Sequence, residues 1–294
     1  MTEQAASARK APRFFETDTH QSFVAYRGFY FLKVAIALSV LSFVVYAWHS
    51  PMTSPNGGTW VGYTLGTIGA LLILWLTWFG YRKRSYRSAA GRLEAWLSAH
   101  VYLGLSLIIV ATLHTGFHFG WNIHTLAYAL MLLVIASGAF GVYAYLRYPT
   151  LITSNRRGAT FAQFMSRIAA ADSEARQLAM TLTDEISAAV TRAVTETRLG
   201  GSVLRQLGGR DPSCATEAAR RKVETSIDHL PEDMKPAGRE LLILLSRKEE
   251  LLGRARRDIR YKAMMDIWLY FHVPLTFALL AALLGHVVSV FYYF

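Results

Sequence analysis

The sequence predicts an all-α integral membrane protein: five transmembrane helices, with a polar helical insert before the last. Three observations predict this fold class. The 294 residues are 53% hydrophobic and 13% aromatic, with a mean hydropathy of +0.25, more apolar surface than a soluble domain usually hides. Apolar runs of about twenty residues, the length that crosses a bilayer, occur five times. A long polar stretch separates the fourth run from the fifth.

The five apolar runs define the predicted organisation of the chain. We place the spans at residues 28–48, 60–80, 97–118, 123–146 and 267–291. The first run starts too late and is too long for a cleaved signal peptide, so we expect it to be a retained span. The predicted parts are a cytoplasmic N-terminal tail (1–27), transmembrane helices one to four (28–146), the insert (147–264) and the fifth transmembrane helix (265–294).

Two helical patterns within the insert predict a helical hairpin. Apolar residues recur at helical spacing through residues 173–198, and Gly200 and Gly201 interrupt the pattern. A second helical run, 238–268, continues directly into the fifth span. The insert is basic, with 21 Lys and Arg against 16 Asp and Glu over residues 147–266. We therefore expect this hairpin to be the docking surface for a partner protein.

The distribution of Lys and Arg predicts the orientation in the membrane. The link between the second and third spans, residues 81–92, holds five of them, whereas loops 49–59 and 119–122 hold none. The positive-inside rule then places the N-terminus, this link and the insert in the cytoplasm and the C-terminus in the periplasm of a bacterial cytoplasmic membrane. Because the basic residues flank apolar spans, the net charge of +11 reflects topology, and we expect no nucleic-acid partner.

Four histidines lie at equal spacing in two of the spans. His100 and His114 are fourteen residues apart in the third span, and His272 and His286 are fourteen apart in the fifth. Fourteen helical steps end within about 40° of a whole number of turns, so each pair lies on one helix face, about 21 Å apart along the axis. Spans three and five run parallel, because the insert between spans four and five starts and ends on the same side. We therefore expect His100 to lie level with His272, and His114 level with His286.

Paired imidazoles at two levels are the ligand set of two b-type haems. An ionisable side chain inside a bilayer is costly and normally has a functional partner. Each level supplies both axial ligands for one haem iron, and the single cysteine, Cys214, leaves no motif for covalent haem attachment. We predict two non-covalent haems b. His118 is an alternative ligand one turn beyond His114; the matched spacing favours His114, and His118 would then donate to a haem propionate.

The two histidine-bearing segments resemble a known family. HVYLGLSLIIVATLHTGFHFG (100–120) and WLYFHVPLTFALLAALLGHVVSVFYYF (268–294) resemble the ferric reductase-like transmembrane domain superfamily, and bacterial di-haem b-type cytochromes with a cytoplasmic helical insert. The resemblance implies that His100, His114, His272 and His286 are axial ligands of two haems b. The sequence carries no Gly-rich dinucleotide fingerprint, so we expect a partner to deliver electrons singly.

A haem with two histidine ligands has no open coordination position, which favours electron transfer over chemistry on a bound substrate. We expect a subunit of an oxidoreductase complex that carries electrons across the membrane, in either direction, between a cytoplasmic or quinone-pool donor and an outer electron carrier. Two alternatives stay open. One is a quinol-oxidising membrane subunit with a quinone site; the other is a sensor or transporter subunit that uses the histidines as proton relays.

Overall fold

A computed structural model of the chain describes residues 23–51, 56–84, 92–209 and 211–292, with the backbone alone at 81–84. These residues are helical, with no β-strand among them. They divide after Tyr128 into two compact units. Most of the predicted N-terminal tail and the side chains of most of the basic link 81–92 lie outside the described part of the chain.

Nine α-helices make up the described chain, and five of them, the first four and the last, are long and apolar enough to cross a membrane. The prediction of five helices with the length and apolar composition of membrane spans is therefore confirmed. In chain order the helices are α1 (Tyr30–Trp48), α2 (Trp60–Arg84), α3 (Leu93–Thr115), α4 (Ile123–Arg156), α5 (Phe161–Ala179), α6 (Asp184–Thr195), α7 (Val203–Gly208), α8 (Ala215–Ser226) and α9 (Lys235–Tyr292).

The helix ends differ from the predicted spans at several places, including α4, α9 and the end of α3. α4 continues through Pro149 to Arg156, so the insert begins within a helix. α9 is one helix of 58 residues that includes both the second helical run of the insert and the fifth span. α3 stops at Thr115 because Gly116 adopts a left-handed conformation with φ of 56°. The predicted helical end at residue 118 is therefore wrong.

In the first unit α3 packs against both α1 and α2. Val61 and Leu65 of α2 and Val110 and Leu113 of α3 form a buried apolar cluster. Near the other end of α3, Tyr102 donates a hydrogen bond of 2.8 Å to the carbonyl of Val24, in a short 3₁₀ turn. α3 is thus held along its length.

The insert is a bundle of short helices rather than a hairpin. α5, α7 and α8 pack against α9, and α6 packs against α5 and α8. The single helix predicted over residues 173–198 breaks between Ala179 and Asp184, because Thr183 starts a new helix with acidic residues in its first turn. Leu182, in the break, is buried in the insert core. The hairpin prediction is therefore wrong, although the helical character is confirmed.

A buried carboxylate ties α4 to α9 in the second unit. Asp258 of α9 is 3% exposed and accepts hydrogen bonds from Arg156 Nε at 2.5 Å and Asn155 Nδ2 at 2.7 Å. Tyr148 of α4 stacks on Tyr261 of α9, with ring centroids 5.6 Å apart. Breaking a buried ion pair leaves an uncompensated charge, which is strongly destabilising. These contacts fix α4 against α9 where α9 leaves the insert.

Candidate functional site

The four predicted ligand histidines lie on two uninterrupted helices, and each is half-buried. His100 and His114 lie on α3, and His272 and His286 on α9. Helical continuity confirms the geometric premise of the spacing: each pair lies on one face of its helix, about 21 Å apart along the axis.

His114 lies against the start of α2. Its Nδ1 is 2.8 Å from the carbonyl oxygen of Gly62, which can only accept, so Nδ1 carries the proton and donates. A Cβ added at Gly66 would lie 2.6 Å from His114 Cε1, and one added at Gly57 would lie 3.4 Å from it. Glycine at position 66 therefore makes room for the imidazole against the α2 backbone.

His100 contacts the same helix about three to four turns further along. Its Nδ1 is 3.2 Å from the carbonyl oxygen of Leu76, which again makes Nδ1 the donor. The ring of Phe79 lies beside the imidazole, with centroids 5.0 Å apart. Two α2 carbonyls thus orient the two histidines of α3.

His272 is held by α4. Its Nδ1 is 2.7 Å from the hydroxyl oxygen of Ser137, and that hydroxyl donates to the carbonyl of Val134 at 2.8 Å. The hydroxyl therefore accepts from Nδ1. Trp268 Nε1 donates to the carbonyl of Ser137 at 2.7 Å. A Cβ at Gly141 would overlap the Trp268 ring, so glycine is needed for this contact.

Three of the four histidines thus share one protonation pattern. Because Nδ1 of His100, His114 and His272 donates to an oxygen, the neutral ring has its lone pair on Nε2. Histidine ligands of metals are usually held this way, with the second nitrogen donating to a fixed acceptor. The donor chemistry therefore fits axial ligation of a haem iron through Nε2.

The other two candidate residues are His286 on α9 and His118, which also donates from Nδ1 to an oxygen but lies beyond the end of α3. His286 lies on α9, one turn before Ser289, whose hydroxyl donates to its carbonyl at 2.8 Å. His118 follows the end of α3, is exposed, and its Nδ1 contacts the carbonyl of Gly116 at 2.8 Å. It does not lie one helical turn beyond His114, as the alternative ligand assignment assumed.

The orienting residues were not found from the sequence. Every residue has a backbone carbonyl, so the sequence does not indicate that those of Gly62 and Leu76 accept hydrogen bonds. A serine such as Ser137 is most simply interpreted from sequence as a helix-packing residue. Gly62, Gly66 and Gly69, at i, i+4 and i+7 on α2, did carry a detectable signal of close helix approach. Among the described residues, no group of three or more His, Cys, Asp or Glu side chains is placed to hold a metal ion.

Comparisons of the chain with protein-family models, characterised proteins and solved structures give no match.

Proposed function

We propose that the chain is a di-haem b-type cytochrome subunit of the ferric reductase-like transmembrane class, which carries electrons across a bacterial cytoplasmic membrane. The observation that carries this proposal is the matched fourteen-residue histidine spacing on α3 and α9, together with the Nδ1 hydrogen bonds that put the lone pair of the neutral imidazole on Nε2. A non-redox relay needs neither the equal spacing nor this common tautomer.

The residues have distinct roles under this proposal. His100 and His272 would hold one haem b, and His114 and His286 the other. A bis-histidine haem iron, when bound, cycles between ferric and ferrous states and so supplies one-electron transfer. The α2 carbonyls of Gly62 and Leu76 keep Nδ1 of His114 and His100 protonated, so that Nε2 carries the lone pair. In a bilayer, apolar surroundings would exclude water from the ligands.

The insert and the outer loops are the proposed partner surfaces. The basic insert, 147–264, would dock a cytoplasmic electron donor or acceptor. A quinone of the membrane pool is the alternative donor. An outer electron carrier would meet the opposite end. The helix α9 includes both part of the insert and His272. A partner that docks on the insert would therefore contact the same helix that carries a proposed haem ligand.

The first test of this function is optical. The detergent-purified chain should show the Soret and α bands of a b-type haem, and those bands should shift on reduction with dithionite. A sensor or transporter subunit that uses histidines as proton relays would purify colourless. A colourless chain expressed with excess haem would contradict the proposal.

We predict that removing the Ser137 hydroxyl changes one haem only. Ser137→Ala deletes the acceptor of His272 Nδ1, which makes the ligand less basic and stabilises ferric iron less. The midpoint potential of the haem held by His272 should rise by about 20 to 60 mV, equivalent to a net hydrogen bond of roughly 0.5–1.5 kcal/mol.

Redox titration of the two haems measures this shift. Ser137→Thr, which keeps a hydroxyl, is the matched control and should leave both potentials near their original values. Equal shifts at both haems, or identical behaviour of the alanine and threonine variants, would remove Ser137 from this role.

We also predict the topology. A reporter active only in the periplasm should be active when fused after Phe294 and inactive when inserted at Gly209. The reason is that the link 81–92 and the insert are basic, which predicts a cytoplasmic location for both. A reporter active only in the cytoplasm should give the opposite pattern. Reversal of both results would invert the orientation and, with it, which partner meets which haem.

A further inference from the structure

The insert exposes an apolar pair on α7. The side chains of Val203 and Leu204 are 54% and 82% exposed. The helix has only six residues, and its other side packs on α9. The chain enters α7 through Gly200 and Gly201, both at positive φ of 97° and 106°, which only glycine adopts readily. α7 is thus a short projection whose tip is apolar.

Three exposed arginines lie on or next to α7 along the chain or in space. Arg198 precedes α7, Arg205 lies within it, and Arg260 of α9 lies beside Gly209 at its end. Within the described part of the chain none of these three guanidinium groups forms an ion pair with a carboxylate. The nearby carboxylate of Asp211 lies 3.5 Å from Arg256 instead. The surface around Leu204 therefore combines apolar side chains with uncompensated positive charge.

The position of α7 along α9 places it near the membrane. α7 lies beside Ile259, and from Ile267 onward the described helix carries no Asp, Glu, Lys or Arg. Eight helical residues rise about 12 Å. The headgroup layer on each side of the hydrocarbon core is about 5–8 Å thick, and a helix is about 10 Å across. The headgroup layer and half the width of α7 together cover the distance of about 12 Å between Ile259 and Ile267, so α7 lies within reach of headgroups.

We infer that α7, with Arg198, Arg205 and Arg260, is a contact site for anionic lipid headgroups of the leaflet that faces the insert. Apolar side chains flanked by arginines are the composition of segments that bind at a charged bilayer surface. The inference rests on insertion of α9 in the membrane and is independent of haem binding. The contact would hold the insert at a fixed height above the bilayer.

An environment-sensitive fluorophore at position 204 tests this inference. Cys214 is buried and is replaced by alanine, so that Leu204→Cys provides the one thiol for labelling. Ile243→Cys is the matched control, because Ile243 is 68% exposed on α9 but about 36 Å from Ile267 along the helix. The full chain is reconstituted in vesicles of phosphatidylcholine alone or with phosphatidylglycerol.

With phosphatidylglycerol, the emission of the probe at 204 should shift to the blue and be quenched by spin-labelled lipid, whereas the probe at 243 should not change. Replacing Arg198, Arg205 and Arg260 with glutamine should abolish the shift, and high salt should weaken it. In the unsubstituted chain, amide hydrogen exchange across α7 should slow in phosphatidylglycerol-containing bilayers relative to phosphatidylcholine bilayers.

Three results would overturn the inference. The first is equal behaviour of the probes at 204 and 243 in anionic vesicles, with unchanged exchange in α7. The second is a blue shift in detergent without lipid, which would mean that protein covers the tip. The third is a shift of the same size in phosphatidylcholine alone, which would remove the arginines from the contact.

Discussion

Replacing His100 or His272 with alanine should remove the same haem, and replacing His114 or His286 should remove the other. Each haem b needs both axial nitrogens, and no covalent bond can retain it, because the chain lacks a Cys-x-x-Cys-His motif. Each variant should therefore lose one of two haems, a halving of the haem content. Redox titration and electron paramagnetic resonance of the purified variants identify which haem remains.

His118→Ala is the control for this series. Because α3 ends at Thr115 and His118 is exposed beyond it, the variant should keep both haems. At most it should shift the midpoint potential of the haem held by His114, by an amount equivalent to a free energy on the order of 1 kcal/mol. Loss of different haems in the His100 and His272 variants would contradict the pairing. Loss of one haem in His118→Ala, with both haems retained in His114→Ala, would move the ligand beyond the end of α3.

Gly66→Ala should remove the haem held by His114 while leaving the other in place. The added Cβ would lie 2.6 Å from Cε1 and 2.8 Å from Nδ1 of His114, closer than such atoms can approach. The imidazole would have to turn away, which breaks its 2.8 Å hydrogen bond to the Gly62 carbonyl. Loss of such an orienting contact typically lowers metal-site affinity about 10- to 100-fold.

Gly69→Ala is the matched control, since it adds the same methyl group three residues further along α2. Its Cβ would lie 3.9 Å from the nearest atoms, on Leu107 and Val110, an ordinary van der Waals distance. Haem titration of both variants measures the difference. If Gly66→Ala and Gly69→Ala bind haem alike, His114 does not ligate from the position described.

The five long apolar helices could be predicted from the sequence because crossing a bilayer demands length and apolarity together. The first span was predicted at 28–48 and α1 is Tyr30–Trp48; the fifth, 267–291, lies within α9. The end of α3 was missed because apolar residues continue past it, whereas the left-handed Gly116 decides where the helix stops. Hydropathy does not detect a backbone conformation.

The insert was predicted less well, although its signals were present. Thr183 followed by Asp184 and Glu185 is a helix-start pattern. The prediction of a single helix instead followed the apolar spacing, which continues through Leu182. Leu182 keeps that spacing because it is buried between two helices. In the structure, therefore, the helix-start pattern at Thr183 decides where α6 begins, although the apolar periodicity continues across the break.

For the candidate site, spacing alone predicts the four histidines as ligands but not the groups that hold their side chains. The acceptors of Nδ1 are two backbone carbonyls and one serine, contributed by helices other than those bearing the histidines. Which carbonyl faces which imidazole depends on how far two helices slide along each other. That register is set by packing, such as the close approach at Gly66, and no single segment encodes it.

The haem content of the purified chain tests the central claim most directly. A pyridine haemochrome assay, divided by protein concentration from amino-acid analysis, should return two haems b per chain, and acid–acetone extraction should remove both, since neither is covalently attached. A ratio of one would mean that the two histidine levels do not each hold a haem. A ratio of zero in chain expressed with excess haem would contradict the cytochrome function altogether.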